Sequence, residues 1–213
     1  MKADRNPGVE TLRSGKEYQL VQELGFQEMI PFVLSHIRER GIMSLIYLGV
    51  NLGMLIVIVL YIFAGFLDQQ LTWGGLIGQS LAGIFTGSIL VIPLHELLHG
   101  VAYRLLGAKK IRFGADFQQF IFFVTADRYP VSGRQLHFLA LAPFVVINIL
   151  TIALTLSLFP QKLLFSGFLL LSHNIMCIGD FAIANYVQRA DRKLYSFDEP
   201  DEKKSYFYEK VNE

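Results

Sequence analysis

The sequence is poor in cysteine, in net charge and in apolar residues near its start, and each shortage excludes a class of protein. Cys177 is the only cysteine among 213 residues, which excludes an intrachain disulfide framework and a cysteine zinc cluster. The net charge of +1 gives no support to a nucleic-acid partner. The first long apolar run begins near Ile42, behind a charged segment, so we expect a true membrane span there rather than a cleaved signal peptide.

Apolar residues are abundant beyond that point. The chain is 53% hydrophobic and 17% charged, with a mean hydropathy of +0.42, which is high for a water-soluble domain of this size. Runs long enough for a bilayer, about twenty residues each, recur along the sequence. They predict an all-α polytopic membrane protein with one membrane-embedded domain at 42–187, whose four spans are approximately 42–67, 76–106, 136–158 and 163–187.

The positions of lysine and arginine predict the orientation of these spans. Of the nineteen basic residues, eighteen flank the spans on one side, and Lys162 alone falls in a short loop on the other. The positive-inside rule therefore puts both termini in the cytosol of a multi-pass cell-membrane protein. Residues 1–41 form a cytosolic segment with an interfacial helix predicted at 28–40, and residues 188–213, with mixed charges, are expected to be a solvated cytosolic tail.

Between the second and third predicted spans, the sequence changes from helical to strand periodicity. Ile111, Phe113, Ala115 and Phe117 alternate with polar or small residues, and an apolar run follows at 120–124. Alternation with period two predicts a small β-hairpin, cytosolic or re-entrant. Such a hairpin could bind an unwound substrate as an added strand, or could simply cap the helix bundle. The sequence leaves both roles open.

Three ionisable residues stand close together inside the second predicted span. His95 and His99 are four residues apart, on one face of a helix, where both rings can reach one Zn²⁺ ion while Glu96 faces a water. Ionisable groups are costly in hydrocarbon, which favours a functional role over chance. A zinc site without hydrolysis, in a metal sensor or a degenerate enzyme, is the main alternative. Glu96 argues against it, because a purely structural site has little use for a general base.

A catalytic zinc usually has three protein ligands, so one more is expected from another span. Asp180 lies at a similar depth to the two histidines, which are roughly 10–16 Å from the cytosolic end of their span, and is the best candidate. His173 is a rival ligand. An unbroken helix would hold it about 10.5 Å from Asp180, too far for both to bind one ion, although Gly179 could loosen the helix. Asn174 is either a partner of a ligand or a helix-packing residue.

The segment 92–100, Ile-Pro-Leu-His-Glu-Leu-Leu-His-Gly, together with Gly179-Asp180 in a later span, resembles the bacterial membrane family of zincin peptidases, itself similar to the site-2 class of intramembrane metalloproteases. The resemblance implies that His95, His99 and Asp180 are zinc ligands and that Glu96 is the catalytic base. The site-2 class places its aspartate in a Leu-Asp-Gly motif, whereas Phe181 follows Asp180 here. The chain also has no room for a PDZ insertion.

These observations predict a zinc-dependent peptidase that acts on a membrane protein or a membrane-proximal peptide. The expected partners are the lipid bilayer and that substrate, with no nucleic acid, and self-association into a homo-oligomer is left open. The rival interpretation is a non-catalytic metal-binding regulator, or a degenerate protease that binds a partner without cutting it. A zinc hydrolase acting on a non-peptide substrate is a third.

Overall fold

The computed structural model describes residues 6–116, 121–190 and 193–211, and is mostly helical with two small β-sheets. The helices of this part of the chain are α1 (Val9–Arg13), α2 (Met29–Arg38), α3 (Ile42–Leu67), α4 (Trp73–Phe85), α5 (Ile92–Leu105), α6 (Gly133–Leu158), α7 (Leu163–Met176) and α8 (Ile178–Arg189). The strands are β1 (Tyr18–Gly25), β2 (Ile111–Asp116), β3 (Ile121–Ala126), β4 (Val131–Ser132), β5 (Leu194–Glu199) and β6 (Lys204–Lys210).

Three helical stretches of the described residues are long and apolar enough to cross a membrane: α3, the continuous α4–α5 stretch, and α6. The fourth predicted span is broken, because α7 and α8 meet at a bend of 49°. The number of spans is four only if this bent pair counts as one. Within α3, Ile58 is the only buried residue, and most of its large apolar side chains are exposed. In water this surface would favour aggregation.

The second long stretch changes its helical geometry just before the histidines. A turn of π-helix at Thr86–Leu90 joins α4 to α5, and the N–H of Val91 donates to the carbonyl of Thr86. Pro93 follows in the first turn of α5, where its missing N–H is tolerated. Single π-helical turns often occur at functional sites. The extra residue in the π-helical turn rotates α5 about its axis relative to α4. It therefore determines which face of α5 points to the interior of the helix bundle.

Close packing of α4 and the following π-helical turn against α7 brings the two halves of the helical bundle together. Gly83 and Gly87 lie directly against the backbone of α7, and a Cβ at either position would clash with it. Small residues at such crossings let two helix backbones approach within van der Waals contact. This contact holds α7 beside the π-helical turn that precedes α5.

The terminal segments correct the all-α prediction. The structure has a four-stranded antiparallel sheet, in the order β1-β6-β5-β4, where the sequence predicted a cytosolic segment and a solvated tail. Tyr18 pairs with Lys210, so the two ends of the chain meet. The terminal strands β1, β5 and β6 are short and mix charged with apolar residues, which locally resembles a solvated tail. Only pairing across the whole length of the chain makes these segments strands. The helix predicted at 28–40 is present as α2, and its interfacial position stays a prediction.

The two faces of this sheet have different neighbours. One face carries Phe197, Tyr206 and Tyr208 and packs against α1. The opposite face, which we call the inner face, contains Leu24, Leu194 and Phe207 and packs against α2 and α8. Burying these side chains removes apolar surface from water on both sides of the sheet. The inner face therefore covers one end of the helix bundle.

The predicted hairpin between the second and third long helices is confirmed as β2 and β3, paired antiparallel from Ile111 opposite Ala126 to Asp116 opposite Ile121. The predicted strand residues Phe117 and Phe120 lie outside the described residues. Val124 and Ala126 pack in one cluster with Ala102 and Tyr103 of α5. Through this contact the hairpin caps the helix that carries the two histidines.

Candidate metal centre

Helix α5 presents three ionisable residues of the predicted site to the interior of the bundle. His95, Glu96 and His99 are half-buried and line an internal cavity, whereas Leu94 and Leu97 are exposed. This division follows from helical periodicity, because residues four apart share a face. The two histidines are thus held side by side by the backbone of one helix.

The nitrogen atoms of these histidines meet a carboxylate from α8. His95 Nε2 lies 3.1 Å from His99 Nε2, and the two oxygens of Asp180 lie 3.2 Å from His95 Nε2 and 3.4 Å from His99 Nε2. Ligand atoms bound to a tetrahedral Zn²⁺ at about 2.0–2.1 Å are roughly 3.3 Å apart. The donor types and spacings of His95, His99 and Asp180 therefore fit one zinc ion with a fourth position left for water.

A break in the last long helix puts both Asp180 and His173 beside this group. Helix α7 ends at Met176 and α8 begins at Ile178, so Cys177 stands at the bend. An unbroken helix would separate Asp180 from His173 by about 10.5 Å along its axis. The bend lets Asp180 approach His95 Nε2 while His173 Nε2 lies 3.1 Å from His95 Nδ1. The two rival candidates thus contact opposite sides of the same ring.

Cys177 completes a second possible metal-binding group that the sequence analysis missed. Its sulfur lies 3.6 Å from His173 Nε2 and 4.0 Å from His95 Nδ1, and the residue is 1% exposed. The signal in the sequence was the spacing of four between His173 and Cys177, the same spacing as in the histidine pair. The structure thus offers two groups that share His95, one at Nε2 and one at Nδ1.

The group of His95, His99 and Asp180 has a better donor arrangement for a catalytic metal than the group of His95, His173 and Cys177. A histidine that binds a metal through Nε2 carries its proton on Nδ1 and donates it to a nearby acceptor. With a metal among His95, His99 and Asp180, His173 Nε2 is that acceptor. A metal in the other group would leave Asp180 and His99 as a carboxylate and imidazole without a metal. The contact geometry therefore favours His173 as the hydrogen-bond partner of His95 over His173 as a ligand.

His99 also has a hydrogen-bond partner, the carbonyl of Leu139 on α6, and a proline in α6 leaves this carbonyl available. His99 Nδ1 lies 2.9 Å from the carbonyl oxygen of Leu139. In a regular helix that carbonyl would accept the N–H of the residue four positions later, but this residue is Pro143, which has no N–H. The carbonyl of Leu139 is therefore free to accept from His99, and it fixes the orientation of that ring.

Asn174 does not contribute to either metal-binding group. It is fully buried, and its side-chain amide exchanges two hydrogen bonds with that of Asn148 on α6, at 2.7 and 3.2 Å. An amide pair between two helices is a common packing contact in membrane proteins. The structure shows the helix contact of Asn174, and its predicted role as the partner of a ligand stays a prediction.

The group of His95, His99 and Asp180, which we call the metal group, opens into a cavity of about 470 Å³. The cavity extends to the inner face of the sheet. Its walls are largely apolar and include side chains of β1, α2, β3 and α6, such as Leu24, Val33, Phe123 and Leu139. Glu96 also lines it. A space of this size and character suits a small apolar ligand or a few residues of a peptide.

Comparison with known proteins adds one finding. Residues 88–195, half of the chain, match the profile of a family described as "Putative zincin peptidase". This range contains His95, Glu96, His99, His173 and Asp180. No curated protein and no solved structure matches the chain. The predicted similarity to site-2 proteases stays a prediction.

Proposed function

The chain belongs to the zincin peptidase family, and on that premise we propose that it is a zinc-dependent metallopeptidase that cleaves membrane or membrane-proximal substrates. The observation that carries the proposal is the spacing of the donor atoms of His95, His99 and Asp180, between 3.1 and 3.4 Å, at the edge of a cavity that Glu96 also lines. This arrangement supplies the ligands and the base that peptide hydrolysis requires.

Each residue of the site has a separate task in this reaction. Zinc, when bound, polarises the scissile carbonyl and makes water more acidic. Glu96 takes the proton from the attacking water and delivers it to the leaving amine. His173 and the carbonyl of Leu139 hold the rings of His95 and His99, so the ligands do not reorient during the reaction.

The cavity suggests how a substrate reaches the site. Phe123 and Thr125 of β3 line it together with the metal group. An extended peptide lying along β3 would have its backbone next to Glu96, whereas a helical substrate would keep its amides in internal hydrogen bonds. We therefore propose that the substrate is bound unwound, beside the hairpin.

The exposed apolar surfaces of the long helices support a position in the cell membrane. The bilayer would cover α3, the outward face of α5 and α6, whose large apolar side chains are otherwise exposed. Basic residues flank the spans on the side of the four-stranded sheet, which supports cytosolic termini and a cavity wetted from the cytosol.

Zinc content tests the ligand assignment. We expect one zinc per chain in the protein purified in detergent without chelator, and none after His95→Ala, His99→Ala or Asp180→Ala. His173→Ala should still contain zinc. A folded wild-type protein without zinc, or zinc that survives Asp180→Ala unchanged, would contradict the proposed site.

Cleavage tests the activity. The Glu96→Gln variant should keep its zinc and lose peptide cleavage by several orders of magnitude, because the ligands remain while the base is gone. Cleavage of a synthetic library of apolar peptides, measured by mass spectrometry, compares this variant with the wild type. Equal cleavage by both would exclude Glu96 as the base. A zinc-loaded wild type that cleaves nothing would favour the non-catalytic regulator.

A further inference from the structure

The inner face of the four-stranded sheet carries polar residues where its position predicts apolar ones. Along β5 the inner-face residues are Leu194, Ser196 and Asp198, and on β6 Ser205 pairs with Asp198. The ends of this face pack in the apolar core, but Ser196, Asp198 and Ser205 line the cavity. Burying a polar group costs free energy unless the group is hydrogen-bonded, and burying a charge also requires an opposite charge nearby.

Asp198 is the exceptional member of this group. Its two oxygens accept hydrogen bonds from the hydroxyls of Ser205, at 2.6 Å, and Tyr103, at 3.3 Å. In the described part of the chain, no lysine or arginine lies within ion-pair distance of it. Burial raises the pKa of Asp198, although both hydroxyls act in the opposite direction. Within residues 6–116, 121–190 and 193–211, the carboxylate therefore has no compensating cation.

Glu199, the next residue in β5, is a buried carboxylate that does have cationic partners. Glu199 lies on the outer face, where Arg13 contacts it at 2.7 Å and Arg128 at 3.4 Å. A buried charge is normally retained with such a partner, because an isolated one carries a large desolvation cost. Among the described residues, then, one of two adjacent carboxylates is paired and the other faces the cavity, where a cationic group of a bound ligand would pair with it.

A second polar group in the same cavity also lacks a partner. Thr125 of β3 is 5% exposed, and its hydroxyl has no hydrogen-bond partner among the described residues. It lines the cavity together with Asp198. An unsatisfied buried hydroxyl typically costs about 1–3 kcal/mol. A ligand with several hydrogen-bond donors that fills this cavity would have a donor for each residue.

The metal group is close to this cluster. Tyr103, which donates to Asp198, follows His99 by one turn of α5, or about 6 Å of helical rise. A ligand extending from the metal group toward the sheet would therefore reach Asp198 within a few residues of an extended peptide, at about 3.3 Å per residue.

We propose that Asp198 and Thr125 form a subsite for a primary ammonium group of the substrate, at the sheet end of the cavity. The proposal rests on the peptidase function proposed above and specifies its substrate. An ammonium group brings one positive charge and three donors, which match one carboxylate and a hydroxyl. The group is either the amino terminus of a peptide or a lysine side chain near the cleaved bond, since both have the same chemistry.

Peptide binding to the Glu96→Gln variant tests this subsite without requiring cleavage. Short apolar peptides with a dye at the carboxyl end are prepared in three forms: with a free amino terminus, with an acetylated one, and acetylated with one internal lysine. We expect a peptide with an ammonium group to bind roughly tenfold more tightly than the acetylated peptide without lysine. The form that binds more tightly identifies the source of the ammonium group.

Substitution of the carboxylate should remove this preference. When Asp198→Asn is added to Glu96→Gln, peptides with and without an ammonium group should bind with about equal affinity. The control Asp201→Asn changes an exposed carboxylate in the same hairpin and should leave the roughly tenfold preference unchanged. Thr125→Val should reduce this preference several-fold and serves as the second variant if Asp198→Asn does not fold. Equal binding of all three forms, no binding of any form, or a preference that survives Asp198→Asn would overturn the subsite.

The outcomes separate this proposal from the peptidase function. Ammonium-dependent binding without cleavage by the wild type would retain the subsite and reject the peptidase. Cleavage by the wild type without any preference for an ammonium group would retain the peptidase and reject the subsite.

Discussion

At the scale of single residues, the two nitrogens of His95 determine the organisation of the site. One nitrogen faces His99 and Asp180, and the other faces His173. The same ring can therefore bind a metal and donate a hydrogen bond. Under the proposed function, this arrangement separates residues that bind the metal from residues that only orient a ligand.

Replacing His173 with alanine should weaken zinc binding without abolishing it. Loss of a hydrogen bond to a metal-bound histidine typically lowers metal affinity about 10- to 100-fold. Competition with a chelator of known affinity measures the change. His95→Ala should lose zinc entirely in the same assay.

Cys177→Ala is the matched control, since Cys177 belongs only to the alternative group with His95 and His173. It should bind zinc as tightly as the wild type. A loss of zinc as complete as that of His95→Ala would place the metal in the alternative group instead.

At the scale of elements, irregularities in the long helices shape the site. The π-helical turn before α5, the bend at Cys177 and Pro143 in α6 each interrupt a regular helix near a ligand. In a regular helix each interior carbonyl already accepts one backbone N–H, whereas a carbonyl that has lost this donor is more readily available to a side chain. The interruption at Pro143 frees the carbonyl that accepts from His99.

Pro143→Ala should therefore lower zinc affinity while leaving the helix at least as stable. The new N–H would bond to the carbonyl of Leu139 and compete with His99, so we expect a fall in zinc affinity of about tenfold. Chelator competition gives the affinity, and thermal melting of the zinc-free protein gives the stability.

Pro160→Ala is the control for this change, because Pro160 lies in the turn before α7, outside both metal-binding groups. Its zinc affinity should not change. Unaltered zinc binding in Pro143→Ala would show that the carbonyl of Leu139 does not support His99.

At the scale of the whole molecule, the fold separates an apolar helical part from a sheet that joins both ends of the chain. Exposed apolar side chains are concentrated on the long helices, whereas α1 and the sheet bury most of theirs, with Leu20 and Val21 of β1 as exceptions. Together with the distribution of basic residues, this separation predicts that the sheet lies on the cytosolic side of the membrane.

Labelling with a membrane-impermeant maleimide tests this orientation. The only natural cysteine, Cys177, is 1% exposed, so the wild type should label weakly and serves as the background. Gln70→Cys, between α3 and α4, should label in intact cells. Asp201→Cys, between β5 and β6, should label only after permeabilisation, and labelling of intact cells would reverse the topology.

The sequence alone determined the features that depend on neighbouring residues. The spacing of His95 and His99, the helix at 42–67 and the β2–β3 hairpin follow from local periodicity, and the structure contains the predicted helix and hairpin. Periodicity is local because each residue's direction depends on the backbone of its own element. A short charged strand has no such signal, so the sequence predicted only a cytosolic segment where β1 lies and a solvated tail where β5 and β6 lie.

Only the tertiary structure decided which distant residues meet. His95 and His173 are 78 positions apart, and their contact depends on the packing of α4 against α7. The bend at Cys177 brought Asp180 and His173 to the same ring, although a straight helix would have excluded one of them. Tertiary packing also placed Asp198 in the cavity, because its strand became part of a sheet by pairing across the length of the chain.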